Sequence, residues 1–569
     1  MTPRNRVWSL IAPLAALALI VGACQQTPST TTPTTQPTTA ATPGEQKDAD
    51  GILTINQGSE PLRIDPQAGS FVGEIAVNSL VFEPLLLLDP KTNAPIPGAA
   101  AALPTVSSDG TKYTFKLRDG LKYSDGTALT MKNYQYGMRR GCDPRLESEY
   151  SFVLYDIVGC EEFNTSEAKD DATLDGLRDK VGVVATDDKT LEVTLKSAAG
   201  YFAAIMTLWP TYPVREDLVT KGGDKWTEPA TFIGNGPFVM KEWKHNESIT
   251  FEKNPNYRTP VQFKGIKYVF INDSSVALAA YKSDQLDIAG VPATELRSVT
   301  ADADLSKQLT DAPGACTYYF GMNLRKPPFD DQNIRLAFAK SFDRDDFIKN
   351  IRQGIGSAAT GMVMPGVPGN DPTDTVQKFD VTSAKASLDK ASAASKAGLT
   401  GLKYTYADSP VNKAVYEWVA NQWKTNLGVE VAADPVASTA YTGLFRQGKD
   451  SPQLFFLGWC WDFPDPQNQL TTVWAHSNFS AGRTGYDGFN QKFNELVDKA
   501  DRESDQAKRL DLYLQAGKQL SQDAPAAWVQ YSAAKILVKP WVKGITWTAQ
   551  DTSSGVPIHV IKDVYVIKH

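Results

Sequence analysis

Apolar and polar positions alternate repeatedly along the body of this chain. In TKYTFKLRDG, Tyr113, Phe115 and Leu117 alternate with polar residues, the period of a half-buried strand that ends in a turn. Leu191, Val193 and Leu195 repeat the pattern, as do Ile249 and Phe251 ahead of the Asn254-Pro255 break. GILTINQG, from residue 51, opens another strand, and LFFLGW predicts one more. KYVFIND, SSVALAAYKSDQ and LDIAG read as strand, helix, strand, with Ser274 or Ser275 as the helix N-cap. Ile334, Ala337, Phe338 and Phe342 share one helical face. KAVYEWVANQWKTNLG predicts a helix closed by Gly428, followed by the strand VEVAADPV, and helices dominate residues 491–522. No solenoid-length repeat is present, and no long linker divides the chain after residue 50. The pattern predicts an α/β body whose domains share chain crossings.

The N-terminus reads differently. Arg4 and Arg6 precede an apolar run from Leu10 to Val21, interrupted only by Pro13. That run is shorter than the ~20 residues of a stable membrane span. Residues 1–23 are expected to be a secretory signal peptide. Leu19-Ile20-Val21-Gly22-Ala23-Cys24 resembles a bacterial lipobox, which implies acylation of Cys24. The Thr/Pro-rich residues that follow cannot bury a core, so residues 24–50 are expected to form an extended tether.

Composition narrows the function. The 569 residues carry a formal charge of -7, which argues against a non-specific nucleic-acid binder. Only four histidines occur (His245, His476, His559, His569), and no Walker A, HExxH, GxSxG or GxGxxG motif is found. No enzymatic activity, metal or cofactor is expected. The Asp-rich stretches KDDATLDG and ATDDKT read as solvated turns. Of five cysteines, Cys142, Cys160, Cys316 and Cys460 remain after Cys24, and four allow three pairings. A Cys142–Cys160 bridge would close a short loop and stabilise by about 3 kcal/mol.

Aromatic residues concentrate in GWCWDFPDPQ, residues 458–467, where Trp459, Trp461 and Phe463 surround Asp462. The preceding LFFLGW is strand-like, so Asp462 should lie just past a strand end, where ligand sites are favoured. Together with GSEPLRIDP, DGTKYTFKLRDGLKYSDGTALT, NGPFVMKEWKHNESITFEKNPNY, CTYYFGMNLRKPPFDDQNIRLAFAKSFDRD and LVKPWVKG, taken in order, this segment resembles the solute-binding proteins of family 5 from ABC importers, in their oligopeptide/dipeptide-binding branch. The resemblance implies a periplasmic-binding-protein-like, two-lobed clamp (type II) with an inserted α+β domain. Lobe I would comprise 51–83, 214–315 and 531–569, the inserted domain 84–213, and lobe II 316–530. It implies a Cys316–Cys460 disulfide, leaving Cys142 with Cys160.

The resemblance also implies residue roles. Asp462 matches the carboxylate that receives a peptide's α-ammonium, an interaction stronger than a neutral hydrogen bond. Gly458, Trp459 and Cys460 match positions lining the peptide, which lies as an added strand. Val72 matches the position offering backbone bonds from the opposite wall, Tyr150 a ligand-facing tyrosine, and Tyr531 a residue bordering the ammonium pocket. Where the family carries a basic partner for the peptide carboxylate, this sequence has Phe456, with Arg446 near another such position; longer, blocked or unusual ligands are therefore expected. The implied protein is a monomeric, lipid-anchored, extracytoplasmic subunit that captures peptides and delivers them to an ABC permease, with no nucleic-acid partner. The alternatives are the same fold holding an oligosaccharide, siderophore or metal complex, or serving as a non-transporting peptide sensor.

Overall fold

A computed structural model describes residues 46–445, 451–549 and 558–569. The expected signal peptide, Cys24 and Arg446 lie outside the described residues. Two long antiparallel strands, Leu309–Met322 and Ala526–Val538, organise the rest. They sit in the middle of a mixed sheet of eleven strands among the described residues. On one side the sheet continues through Ile288–Gly290, Ile52–Asn56, Gly265–Val269, Ser248–Lys253 and Phe238–Lys244. On the other it continues through Leu454–Cys460, Lys403–Ala407 and Ala432–Val436.

The two long strands change register midway. Pro313 pairs with Ala533, but Thr317 pairs with Tyr531. Pro313 has no N–H to give to a ladder, and Gly314 fills a site where a Cβ would come within 2.5 Å of the Ser532 carbonyl oxygen. Cys316 N–H donates instead to the Ser532 hydroxyl. The shift lies between residues that join two different hydrophobic cores, Ala312 in one and Tyr319 in the other. One core gathers Leu53, Leu80, Phe115, Phe202, Phe251 and Ile536; the other gathers Tyr319, Phe338, Trp423, Trp474 and Trp528. Each fully buried aromatic or leucine side chain contributes roughly 1.5–3 kcal/mol. This is the two-lobed clamp expected from the sequence.

The segment after residue 84 adds a small antiparallel sheet in the order Thr105–Val106, Lys112–Lys116, Thr190–Thr194, Val183–Asp187. The helix Met131–Gly141 packs against it, and the Cys142–Cys160 disulfide ties that helix's C-terminus to the helix Cys160–Asn164. Its apolar residues join the first core rather than forming one of their own.

Most local expectations hold. Pro410–Leu427 is a helix capped by the Ser409 hydroxyl and closed by Gly428 at φ 72°, a conformation that favours glycine. Two expectations need correction. The helix Ser274–Lys282 is capped by Asp273, not Ser274 or Ser275, because the Asp273 carboxylate reaches the N–H groups of both Ser275 and Val276. The expected tether does not extend to residue 50: Lys47 bridges to Ile567 and Asp48 N–H donates to the Val566 carbonyl, so the packed body already includes these residues. No helix among the described residues is long and apolar enough to cross a membrane.

Candidate functional site

The strand Leu454–Cys460 pairs along one edge with Leu309–Met322, with Cys460 opposite Cys316 and disulfide-bonded to it. Trp461 N–H donates to the Ala315 carbonyl. Antiparallel ladders alternate, so Leu457, Trp459 and Trp461 turn their backbone groups to that partner, whereas Phe456, Gly458 and Cys460 turn theirs to the opposite edge. At Phe456 the Tyr441 hydroxyl occupies that edge, accepting from its N–H at 3.3 Å and donating to its carbonyl at 2.7 Å. The next strand, Lys403–Ala407, pairs with this one at Phe455. Beyond it the edge at Gly458 and Cys460 faces a cavity. Glycine is required at 458, where a Cβ would stand 2.6 Å from the Tyr318 ring.

The cavity holds about 460 Å³, within the size range of small-ligand pockets. Gly458, Trp459, Cys460, Trp461 and Asp462 form one wall. Phe71 and Val72, the start of the helix Val72–Val81, stand on the other, with Tyr150 and Trp209 from the inserted segment. Pro464 and Pro466 carry the chain out of the sheet into the helix Pro466–Gln469, capped by Asp465. This turn brings Asn468, fully buried, under Asp462. Asn468 Oδ1 accepts from Asp462 N–H and from Trp459 Nε1, both at 3.0 Å, and its Nδ2 donates to Asp462 Oδ2 at 2.9 Å. The Tyr150 hydroxyl donates to Asp462 Oδ1 at 3.3 Å.

Asp462 therefore has two neutral donors and, among the described residues, no cation at ion-pair distance. Burial disfavours its charged form and lifts its pKa from 3.8 to about 6, against the two hydrogen bonds, which favour ionisation. A half-buried carboxylate of this kind is an attractive partner for a cation that enters the cavity.

Of the expected site residues, Asp462, Gly458, Trp459, Cys460, Val72 and Tyr150 come together around this one cavity. Tyr531 stands apart. Its hydroxyl is engaged by the loop at 360–363, accepting from Gly361 N–H at 3.0 Å and lying 3.1 Å from the Gly361 carbonyl, and the residue is absent from the cavity's described lining. Sequence reasoning missed Asn468, Trp209, Glu83 and Tyr257. Asn468 follows Asp462 by six residues and was open to discovery there; Tyr257 ends the NGPFVMKEWKHNESITFEKNPNY segment, whereas Trp209 and Glu83 lie in segments without a motif. Buried Glu83 accepts from Tyr257 at 2.9 Å and is paired with Arg258. No cluster of metal-ligating side chains occurs among the described residues.

The inserted segment closes over the cavity. Tyr150 meets Asp462, Phe152 packs edge-on against Phe479 at 5.2 Å, and Tyr201 stacks on Phe463 at 6.1 Å. Arg509 pairs with Asp465 at 2.6 Å while lying over the Tyr201 ring.

Comparison with known proteins agrees with this architecture. The model of the bacterial extracellular solute-binding proteins, family 5 (middle), matches residues 94–481. The chain is 31% identical over 555 residues to the oligopeptide-binding protein OppA of Bacillus subtilis (strain 168), covering 94% of this chain and 97% of the relative. It is 29% identical to the periplasmic oligopeptide-binding protein OppA of Escherichia coli (strain K12), covering 91% and 93%. Among solved structures, the murein tripeptide-binding protein MppA of Escherichia coli superposes with a TM-score of 0.75 at 26% identity, covering 92% of this chain and 100% of that one.

Proposed function

Because the chain belongs to the bacterial extracellular solute-binding proteins of family 5, we propose that it captures oligopeptides in the cavity between its lobes and delivers them to an ABC permease. One observation carries the reading: a carboxylate without a cationic partner, Asp462, stands beside a strand edge whose N–H and C=O groups at Gly458 and Cys460 face the same cavity. A peptide added to that edge uses backbone hydrogen bonds for affinity, and its α-ammonium neutralises Asp462.

The same pair links binding to closure. Closing the lobes removes water from Asp462, a cost of several kcal/mol for an uncompensated charge. An ammonium in the cavity offsets that cost, so ligand favours the closed form, which is the signal a permease can read. Lobe I is assigned to 51–83, 214–315 and 531–569, the inserted domain to 84–213 and lobe II to 316–530. Cys24 carries a lipid that holds the monomer at the outer face of the cell membrane.

A sugar ligand is less well served. Trp459 packs at a tilt against Phe479, with ring centroids 5.0 Å apart, and its indole N–H is already given to Asn468, so it offers no donor to a hydroxyl. Calorimetry with one tetrapeptide, free and Nα-acetylated, tests the proposal. Loss of binding on acetylation is expected; equal affinity refutes the ammonium role.

A further inference from the structure

Apart from Asp462 and the strand edge at Gly458 and Cys460, much of the cavity is lined by apolar side chains or by polar ones already engaged within the protein. Behind Tyr150, whose ring lies 4.8 Å from that of Trp209, it runs between the helix Val72–Val81 and the inserted segment. Ile75, Ala76, Phe82 and Leu87 form its surface there. The polar side chains of this arm are spent inside the protein. The Ser79 hydroxyl donates to the Ile75 carbonyl at 2.8 Å, and Thr207 to the Ala204 carbonyl at 2.7 Å. Trp209 Nε1 donates to the Gly69 carbonyl at 2.8 Å. Tyr257 donates to Glu83, whose charge Arg258 already neutralises. Among the described lining residues there is no lysine, arginine or histidine.

We infer that this arm is a dry side-chain pocket, and that the chain selects free-amine peptides bearing a bulky apolar residue, aliphatic or aromatic, at one of their first two positions. The position follows from Tyr150: its hydroxyl touches Asp462 and its ring opens the apolar arm, so the side chain that enters the arm is within about one residue of the ammonium. The inference rests on the peptide reading above and narrows its substrate class. Water in such an arm lacks partners, so a polar side chain would be desolvated without return, whereas an apolar one displaces poorly held water.

The test uses purified chain and five peptides in calorimetry: Ser-Ser-Gly-Ser, Phe-Ser-Gly-Ser, Ser-Phe-Gly-Ser, Glu-Ser-Gly-Ser and Nα-acetyl-Phe-Ser-Gly-Ser. At least one phenylalanine peptide is expected to bind about tenfold or more tighter than the all-serine peptide, with the glutamate peptide weakest. Ile75→Asn, which puts a polar amide in the arm, should bring the ratio of phenylalanine-peptide to serine-peptide affinity from about tenfold down to about one, and an unchanged ratio in this variant overturns the pocket. Equal affinities for the serine, glutamate and phenylalanine peptides, with the acetylated peptide still rejected, overturn the dry pocket and spare the ammonium reading. Tight binding of the acetylated peptide with the phenylalanine preference intact supports the pocket and removes the ammonium reading. Failure of all five to bind overturns both.

Discussion

Replacing Asp462 by asparagine changes charge while keeping shape, and the structure assigns it two effects of opposite sign. In the ligand-free chain, burial lifts the Asp462 pKa from 3.8 to about 6, so at pH 7.5 the folded state carries a charge that it disfavours relative to the unfolded chain. Two units correspond to about 3 kcal/mol. Asp462→Asn should therefore stabilise the ligand-free protein at pH 7.5, by up to about 3 kcal/mol. For binding the sign reverses. An ammonium loses a charge-assisted partner and keeps a neutral one, a loss of about 2–3 kcal/mol, or roughly 30- to 150-fold in affinity. The pH dependence follows with the same bookkeeping. The raised pKa stabilises the free protein fully below pH ~4, and that contribution is lost as pH rises through about 6, while binding requires the ionised form. At pH 5 about a tenth of the carboxylate is ionised, so affinity for Phe-Ser-Gly-Ser or Ser-Phe-Gly-Ser should be about tenfold weaker than at pH 7.5. Urea unfolding and calorimetry on both proteins at the two pH values read all four quantities. A variant that is destabilised at pH 7.5 yet binds with unchanged affinity and an unchanged pH slope would refute the reasoning, since Asp462 would then be a structural aspartate.

Three further outcomes are expected. Arg509, almost fully buried, pairs bidentately with Asp465 through its two terminal nitrogens; Arg509→Met leaves Asp465 uncompensated and should cost about 3–5 kcal/mol in chemical denaturation. Burial raises the Asp501 pKa from 3.8 to about 7 despite bonds from Tyr513 and Thr471 and nearby Arg509, so its contribution to stability is complete below pH ~4 and disappears as pH rises through about 7. Asp501→Asn should therefore gain stability relative to the parent between pH 5 and pH 8, read as the change in melting-temperature difference; no change in that difference would contradict the burial argument. The Cys142–Cys160 bridge spans 18 residues, and the double substitution to serine should lose about 3 kcal/mol in urea unfolding without changing the affinity ratio between free and acetylated peptides.

How much of this was legible in the chain differs by element. Strands with clean alternation, such as the one bearing Tyr113 and Phe115 or the one bearing Ile249 and Phe251, declared themselves because one face is buried and the period of two is local. The Gly428 stop declared itself because a left-handed residue after an amphipathic run has few other uses. The helix start at Asp273 did not, because several neighbouring residues can cap and only the backbone path decides which one reaches the free N–H groups.

The candidate site divides along the same line. Asp462 was visible through its contiguous motif, since a strand followed by two prolines must leave the sheet and expose what lies at its end. The roles of Trp209, Glu83 and Tyr257 were not visible, because each reaches the cavity from a different, distant segment. The sequence by itself determined the elements, the two lobes by resemblance and the carboxylate at 462. Only the tertiary structure decided that the Tyr531 hydroxyl is held by the loop at 360–363, that Asn468 holds the carboxylate in place, and that the hydroxyls and indole N–H of the apolar arm are already spent. Periodicity and motif are properties of neighbours along the chain, whereas hydrogen-bond saturation and desolvation depend on every group that folding brings within a few ångströms, and no local pattern encodes that sum.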